Sequence, residues 1–353
     1  MSITKEAILS ALSHVDDPDL NKDLVTLNMI QKIEIDENQI RFDVVLTTPA
    51  CPMKDMIQNA CVNAVQHFVS KDLEVIPNMT SNVTSSREEK EVLPGVKNII
   101  AVASGKGGVG KSTVAINLAR SLSDSGASVG VLDADIYGPS MPTLFGLQGG
   151  NPKQVDGKME PLMKDGIKVM SIGFLVDENQ AIVWRGPMAS SAIKQFTTDV
   201  NWGELDYLIL DLPPGTGDIH LTISKQVPVS GSIIVTTPQT VALADCKKAV
   251  NMFINPNINV PVFGIVENMS YFSPKDQPDK KYYLFGKGGG TLLAEQFDLP
   301  LLGEIPFVES IRESGDKGEA LGKSDVVREA YNKLAGEVAR HIAIKNGIGS
   351  LSN

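Results

Sequence analysis

The pattern of apolar and polar positions changes character part-way along the chain. Residues 4–13 have the composition of a short helix that starts at Thr4, with Lys5 and Glu6 following. Residues 30–35 and 40–46 alternate apolar and polar side chains, and the polar run 36–39 between them predicts a hairpin. Pro49 and Pro52 bracket a helix start, after which Met53, Ile57, Cys61, Ala64, Val65 and Phe68 recur at three- or four-residue intervals. Residues 73–76 read as a further strand. The order α-β-β-α-β predicts a small α+β domain over residues 1–80. A Ser-, Thr-, Asn- and Glu-rich stretch without periodicity, 80–90, predicts a linker, which we assign to 81–95.

Beyond Val96 the strands lose their alternation. Apolar runs at 98–103, 128–132, 206–210, 231–236 and 260–266 read as strands buried on both faces. Helical stretches at 111–124, 187–198, 241–253 and 287–297 lie between them. Strands alternating with helices predict an α/β domain, a mostly parallel sheet with helices on both faces, over residues 96–347. In the tail, Val327, Ala330, Tyr331, Leu334, Val338 and Ile342 follow helical spacing, as in a helix docked on a core.

Length and charge narrow the classes. The chain has 353 residues, long enough for two domains, and 42% apolar residues to build their cores. A formal net charge of −10 argues against nucleic acid or an anionic membrane surface as partner. No apolar run is long enough to span a bilayer, and the first residues lack the apolar segment of a secretory signal. Three cysteines, Cys51, Cys61 and Cys246, make no disulfide framework and fit a reducing cytoplasm.

The strongest chemical signal is Gly105-Lys106-Gly107-Gly108-Val109-Gly110-Lys111-Ser112-Thr113, placed between a strand and a helix. Glycines let backbone N–H groups turn toward a phosphate without Cβ clashes, and the helix N-terminus adds unpaired N–H groups and a positive dipole. Lys111 then faces the β- and γ-phosphates, and the Ser112 hydroxyl is a ligand for Mg²⁺. The same glycines also satisfy a dinucleotide fingerprint, with Asp133 about 20 residues further on. Two features favour the phosphate loop. Lys111-Ser112-Thr113 has no purpose in the dinucleotide motif, and a second strand, 207–211, ends in Asp211, as the magnesium side of a P-loop requires.

The second loop lysine, Lys106, makes the motif resemble the deviant Walker A sequence of the ATPase class that contains nitrogenase iron protein and the partition and division-site ATPases. Three further runs resemble the Mrp/ApbC family of iron–sulfur cluster carriers: residues 132–140, from Leu132 to Ser140, 211–218, from Asp211 to Asp218, and Val266-Glu267-Asn268-Met269-Ser270. Thr47-Thr48-Pro49-Ala50-Cys51-Pro52 resembles the core of the MIP18-like domain often fused ahead of that ATPase. The resemblance covers nearly the whole chain. It implies an ATP-hydrolysing carrier that binds iron–sulfur clusters and transfers them to apoproteins, and partners among cluster-assembly proteins. It implies a homodimer in which Lys106 reaches the partner's site. By the same resemblance Asp135 orients the attacking water or holds the magnesium shell, Asp211 sits behind the metal, Thr113 touches the α-phosphate and Asn268 reads the adenine edge. ATP rather than GTP rests on the resemblance too. Arg185, in another family-like run, reads as an ordinary surface arginine.

One departure stands out. Many of these carriers have Cys-x-x-Cys shortly after Glu-Asn-Met-Ser, where two protomers share a cluster. Residues 271–283 of this chain contain no cysteine. Clusters want soft thiolate ligands, so direct binding at that place is not expected. Cys51 is the remaining candidate. At the start of the 53–69 helix, with Lys54 near, its thiol pKa is expected to fall, against the alternative of a small buried cap. Cys61 falls among the apolar positions of that helix and reads as filler. Cys246 reads as packing. His14, His67, His220 and His341 show no metal-ligand spacing. Two other functions remain open: a nucleotide-gated scaffold without its own cluster, and a partition- or positioning-type ATPase, against which the acidic balance and core-like tail argue.

Overall fold

The structure, a computed structural model, describes residues 3–85, 92–175, 186–274, 276–277, 279–322 and 326–350. Arg185 and residues 86–91 of the 81–95 linker assignment lie outside these residues. The chain divides into two compact units, residues 1–86 with 339–353, and residues 87–338.

In the first unit, α1 (Lys5–Leu12) is capped by the Thr4 hydroxyl, which accepts from the Ala7 N–H at 3.3 Å. A two-residue ladder, β1 (Asp16–Asp17) with β2 (Lys22–Asp23), leads to the expected hairpin, β3 (Ile30–Asp36) and β4 (Gln39–Leu46). Helix α2 (Lys54–Phe68) crosses back so that β5 (Glu74–Ser81) pairs parallel with β4. The third strand is longer than predicted and runs into the residues assigned to the linker. Ile8, Leu12, Phe42, Val44, Ile57, Cys61 and Val65 are among its buried core. Phe68 departs from the predicted stripe. At the last turn of α2 it is 54% exposed and stacks on the His14 ring, centroids 4.3 Å apart. The end of the last helix belongs to this unit, where Arg340 Nε meets Asp19 Oδ1 at 2.6 Å.

The second unit is built on an eight-stranded sheet. Its elements in chain order are β6 (Val96–Ser104), α3 (Lys111–Asp124), β7 (Val129–Asp133), α4 (Met141–Leu144), a small ladder of β8 (Gln154–Val155) and β9 (Lys158–Met159), β10 (Leu162–Lys164), β11 (Ile167–Ser171), α5 (Gly186–Thr198) and β12 (Leu205–Asp211). There follow α6 (Asp218–Gln226), β13 (Gly231–Thr236), α7 (Thr240–Ile254), β14 (Val262–Glu267), α8 (Gly289–Gln296), β15 (Leu301–Glu304), α9 (Glu309–Lys317) and α10 (Val326–Ser350), of which residues 326–338 belong to this unit. Strand order is β10-β11-β7-β12-β6-β13-β14-β15, every neighbouring pair parallel except β10–β11. The mostly parallel α/β sheet read from the sequence is therefore present.

The central strands are apolar without alternation because both their faces are covered. Residues 98–104 of β6 are all buried. Helix α3 packs against β6, β7 and β12 through Val114, Ala115, Leu118 and Leu122, all buried. Each fully buried Leu or Val contributes on the order of 1.5–3 kcal/mol over exposure. On α10, Val327, Tyr331, Leu334, Val338 and Ile342 are buried as the spacing predicts. Among the described residues, no helix is long and apolar enough to cross a membrane.

Candidate functional site

The carboxyl ends of β6, β7 and β12 lie side by side in the middle of the sheet, and the candidate site forms on them. Beyond Ser104 the chain turns through the glycine loop into α3. Gly108 and Gly110 have φ of 80° and 79°, in the left-handed region that glycine favours. A Cβ on Gly110 would overlap the Asn268 amide, and one on Gly105 would overlap the Asp245–Cys246 peptide of α7. Glycine is therefore required at both ends of the loop by close approach, not by the turn alone. The Ser104 hydroxyl donates to the Lys106 carbonyl at 2.9 Å and fixes that peptide. No side chain caps α3 and no acidic residue lies in its first turn, so its N–H groups are left for a ligand.

Charges converge on this loop. Lys111, only 6% exposed, places Nζ 2.5 Å from Asp211 Oδ1 and 3.2 Å from Ser112 Oγ. Asp211 ends β12, and the parallel register sets it directly beside Asp133, which ends β7. Asp133 accepts from the Ser171 hydroxyl at 2.9 Å and from the Met141 and Asp135 N–H groups at 3.1 and 3.2 Å. Burial, and then the Asp211 carboxylate, push its pKa up to about 7. Burial also raises the Asp135 pKa, against the attraction of Lys111; Asp135 accepts from the Gly138 N–H at 3.3 Å. In the turn after Asp211, the Gly215 N–H donates to the Ser104 carbonyl at 2.9 Å. His220 Nε2 lies 3.0 Å from the Pro213 carbonyl, and burial lowers its pKa.

The donor set suits magnesium. Asp211 Oδ2 is buried with no hydrogen-bond partner among the described residues. An unpaired buried carboxylate oxygen is costly, and here it stands in the group that holds Lys111 beside the Ser112 hydroxyl. Oxygen ligands of this kind, completed by phosphate oxygens and water, are what Mg²⁺ takes.

Next to the loop lies a cavity of about 310 Å³. Gly110 and Thr113 line it from the loop and α3, Asn268 and Met269 from the end of β14, and residues of α4 and α9 from the far side. Asn268 is 4% exposed, and its Nδ2 donates to the Val109 carbonyl at 2.8 Å. Its amide nitrogen is thus committed to the loop. The structure brings Lys111, Ser112, Thr113, Asp135, Asp211 and Asn268 to one edge of the sheet. Lys106 is half-buried in the same loop. Sequence reasoning left Asp133 out of the site and treated it only as a decoy ribose acid. The Asp-x-Asp spacing of Asp133 and Asp135 was the available signal.

The thiols behave differently from expectation at one position. Cys51 is half-buried, and its pKa is raised, not lowered: burial dominates over the opposing Met53 N–H, the Asp17 and Asp19 carboxylates add to the rise, and Arg340 opposes it. Burial pushes Cys61 up to about 12. Cys246 is buried, its thiol 3.5 Å from the Val235 carbonyl, and its pKa is raised by burial. Both fit the packing roles read from the sequence. The segment 271–283, where the family resemblance led to an expectation of Cys-x-x-Cys, carries aromatic side chains instead. Phe272 bridges to Tyr282, and Lys281 Nζ sits 4.0 Å from the Tyr271 ring centroid. Among the described residues, no group of three or more His, Cys, Asp or Glu is arranged to hold a metal.

A glycine loop joining a central parallel strand to a helix, with a buried lysine, a hydroxyl and a strand-end aspartate converging on it, defines a P-loop NTPase. Residues 95–343 match the model of the NUBPL iron-transfer P-loop NTPases, and residues 5–75 match that of an iron–sulfur cluster assembly protein domain. The chain belongs to the NUBPL-type iron-transfer P-loop NTPase family. It is 46% identical to the iron–sulfur cluster carrier protein of Synechocystis, over 99% of each chain. It is 45% identical to the protein of the same name from Deinococcus radiodurans, over 96% of each. Among solved structures, a nucleotide-binding protein of Archaeoglobus fulgidus in complex with ADP superimposes with a TM-score of 0.60 at 40% identity, covering 70% of this chain and 96% of that one.

Proposed function

We propose that this chain is an ATP-dependent iron–sulfur cluster carrier that binds a cluster as cargo and delivers it to apoproteins. The observation that carries the nucleotide half is the convergence of Lys111, Ser112 and the orphaned Asp211 oxygen beneath an uncapped helix N-terminus. ATP occupies the loop with its nucleoside in the adjoining cavity. Asn268, its nitrogen tied to Val109, offers the base only its Oδ1. Magnesium held by Ser112, with Asp211 behind it, would neutralise charge on the β- and γ-phosphates. Lys111 moves from Asp211 to the phosphate oxygens. Asp135 accepts a hydrogen bond from the attacking water and aims it at the γ-phosphorus. The water oxygen bonds to phosphorus as the bond to ADP breaks, and the proton leaves with the phosphate. The Ser104 carbonyl links this event to the 211–218 turn, which can order and relax with the γ-phosphate. Two copies would sandwich the nucleotide, each Lys106 reaching the other's site.

The cargo half is supported by the names of the relatives and by the assembly-type first domain. A second reading, a nucleotide-gated scaffold that holds no cluster itself, is favoured by the absence of cysteine at 271–283 and by the raised pKa of every thiol. Anaerobic reconstitution with iron and sulfide separates the two. A charge-transfer absorption band with stoichiometric iron, lost in Cys51→Ala, supports the carrier. Wild-type protein that takes up no stoichiometric iron overturns it in favour of the scaffold.

A further inference from the structure

Arg120, on the third turn of α3, is 6% exposed, and burial lowers its pKa, so its placement costs solvation. Its guanidinium spans three segments remote in sequence. Nη1 donates to the Glu319 carbonyl just past α9 at 2.9 Å, and Nη2 lies 3.4 Å from both the Leu144 carbonyl at the end of α4 and Asp165 Oδ2 in the β10–β11 turn. The group also sits 5.3 Å from the centroid of the Phe145 ring. Between α4 and α9 the two backbones touch. Gly146 and Gly318 face each other with φ of 64° and 66°, and a Cβ on Gly318 would overlap Gly146. Thr143 and Leu144 of α4, with Gly315 and Asp316 of α9, form the wall of the 310 Å³ cavity opposite Thr113.

We propose that Arg120 is a positioning residue for nucleotide binding: by holding the ends of α4 and α9 together over their glycine contact, it sets the wall against which the nucleoside rests. The inference rests on the assignment of that cavity to the nucleoside. A planar fork holds two carbonyls in one fixed geometry, whereas a lysine's rotatable donors on a flexible stem do not set their spacing. The phosphates are bound by the loop and the first turn of α3, which Arg120 does not touch. Its loss therefore weakens ligands that carry a nucleoside and spares those that are only phosphate.

The test is calorimetric titration of the full-length chain with Mg-ADP and, separately, Mg-tripolyphosphate, alongside thermal melting. For Arg120→Ala we expect ADP affinity to fall about tenfold or more and tripolyphosphate affinity by less than about twofold. Arg120→Lys, which keeps the charge, and Gly318→Ala, which separates the two helix ends, should show the same selectivity at about threefold and serve if Arg120→Ala does not fold. Equal weakening of both ligands, or no weakening of ADP, overturns the proposal. Wild-type protein that binds tripolyphosphate but gains nothing from the nucleoside overturns the cavity assignment with it. Wild type that binds neither overturns the nucleotide reading as well.

Discussion

The phosphate loop and the Cys51 turn are built on one plan and have opposite chemistry. In each, a strand (β6 or β4) runs through a short loop into a helix (α3 or α2) whose N-terminus has no side-chain cap. By the helix-terminus argument alone, both should favour an anion, a phosphate at the first and a thiolate at the second. The surroundings decide otherwise. The first turn of α3 carries Lys111 and no acid, and its glycines leave the backbone open. The first turn of α2 carries Asp55, its entry is stiffened by Pro49 and Pro52, and the Asp17 and Asp19 carboxylates reinforce the burial that keeps Cys51 protonated. A helix terminus is a weak bias of roughly 0.3–1 kcal/mol that nearby charge and desolvation readily reverse.

This contrast can be broken at several points. The largest effect is expected for Lys111→Ala, which should lower nucleotide affinity by about a hundredfold or more, measured by titration with Mg-ATP. Unaltered binding would mean that the loop is not the phosphate site. Next is the buried acid pair. The unfolded chain releases the Asp133 proton near its ordinary value of 3.8, while the folded chain holds it to about 7. This residue's contribution to stability is therefore greatest below about pH 4, falls as pH rises to about 7, and is flat above. Asp133→Asn should remove that slope in denaturant titrations across the window; identical slopes in both proteins would show that Asp133 ionises normally. Gly105→Ala, which drives a methyl into the α7 backbone, should destabilise the second unit by about 2 kcal/mol or more, read as a lowered melting temperature. The smallest effect lies at the thiol. Cys51, half-buried where the other two thiols are buried, should be the site of native-state alkylation, and Asp19→Asn should speed its labelling at pH 7 by about twofold. A rate that does not move would locate the cause in burial alone.

The same physics explains what the sequence revealed. Strands buried on both faces leave long apolar runs, so β6, β7, β12, β13 and β14 were legible. Leu162–Lys164 and Leu301–Glu304 are too short to show a period, and α9 buries only Ser314, so its pattern carries almost no signal. The loop residues were legible because glycine and lysine spacing is local. The pairing of Asp133 with Asp211 was not, because it depends on β7 and β12 being neighbours, a fact of strand order that no local window contains. The Cys51 pKa failed for a related reason: its burial, and after it the approach of Asp17 and Asp19, comes from the fold and not from the helix that follows it.

The sheet's two outer strands have a bearing on how copies of this chain can meet. β10 is three residues long and antiparallel, and β15 is four residues long. Edges this short present few unpaired backbone groups, so they give a neighbouring molecule little to extend as a continuous sheet and little template for aggregation. In the proposed dimer, this sheet would then meet its copy through the loop-bearing end, under the control of nucleotide, and not through pairing of its outer strands.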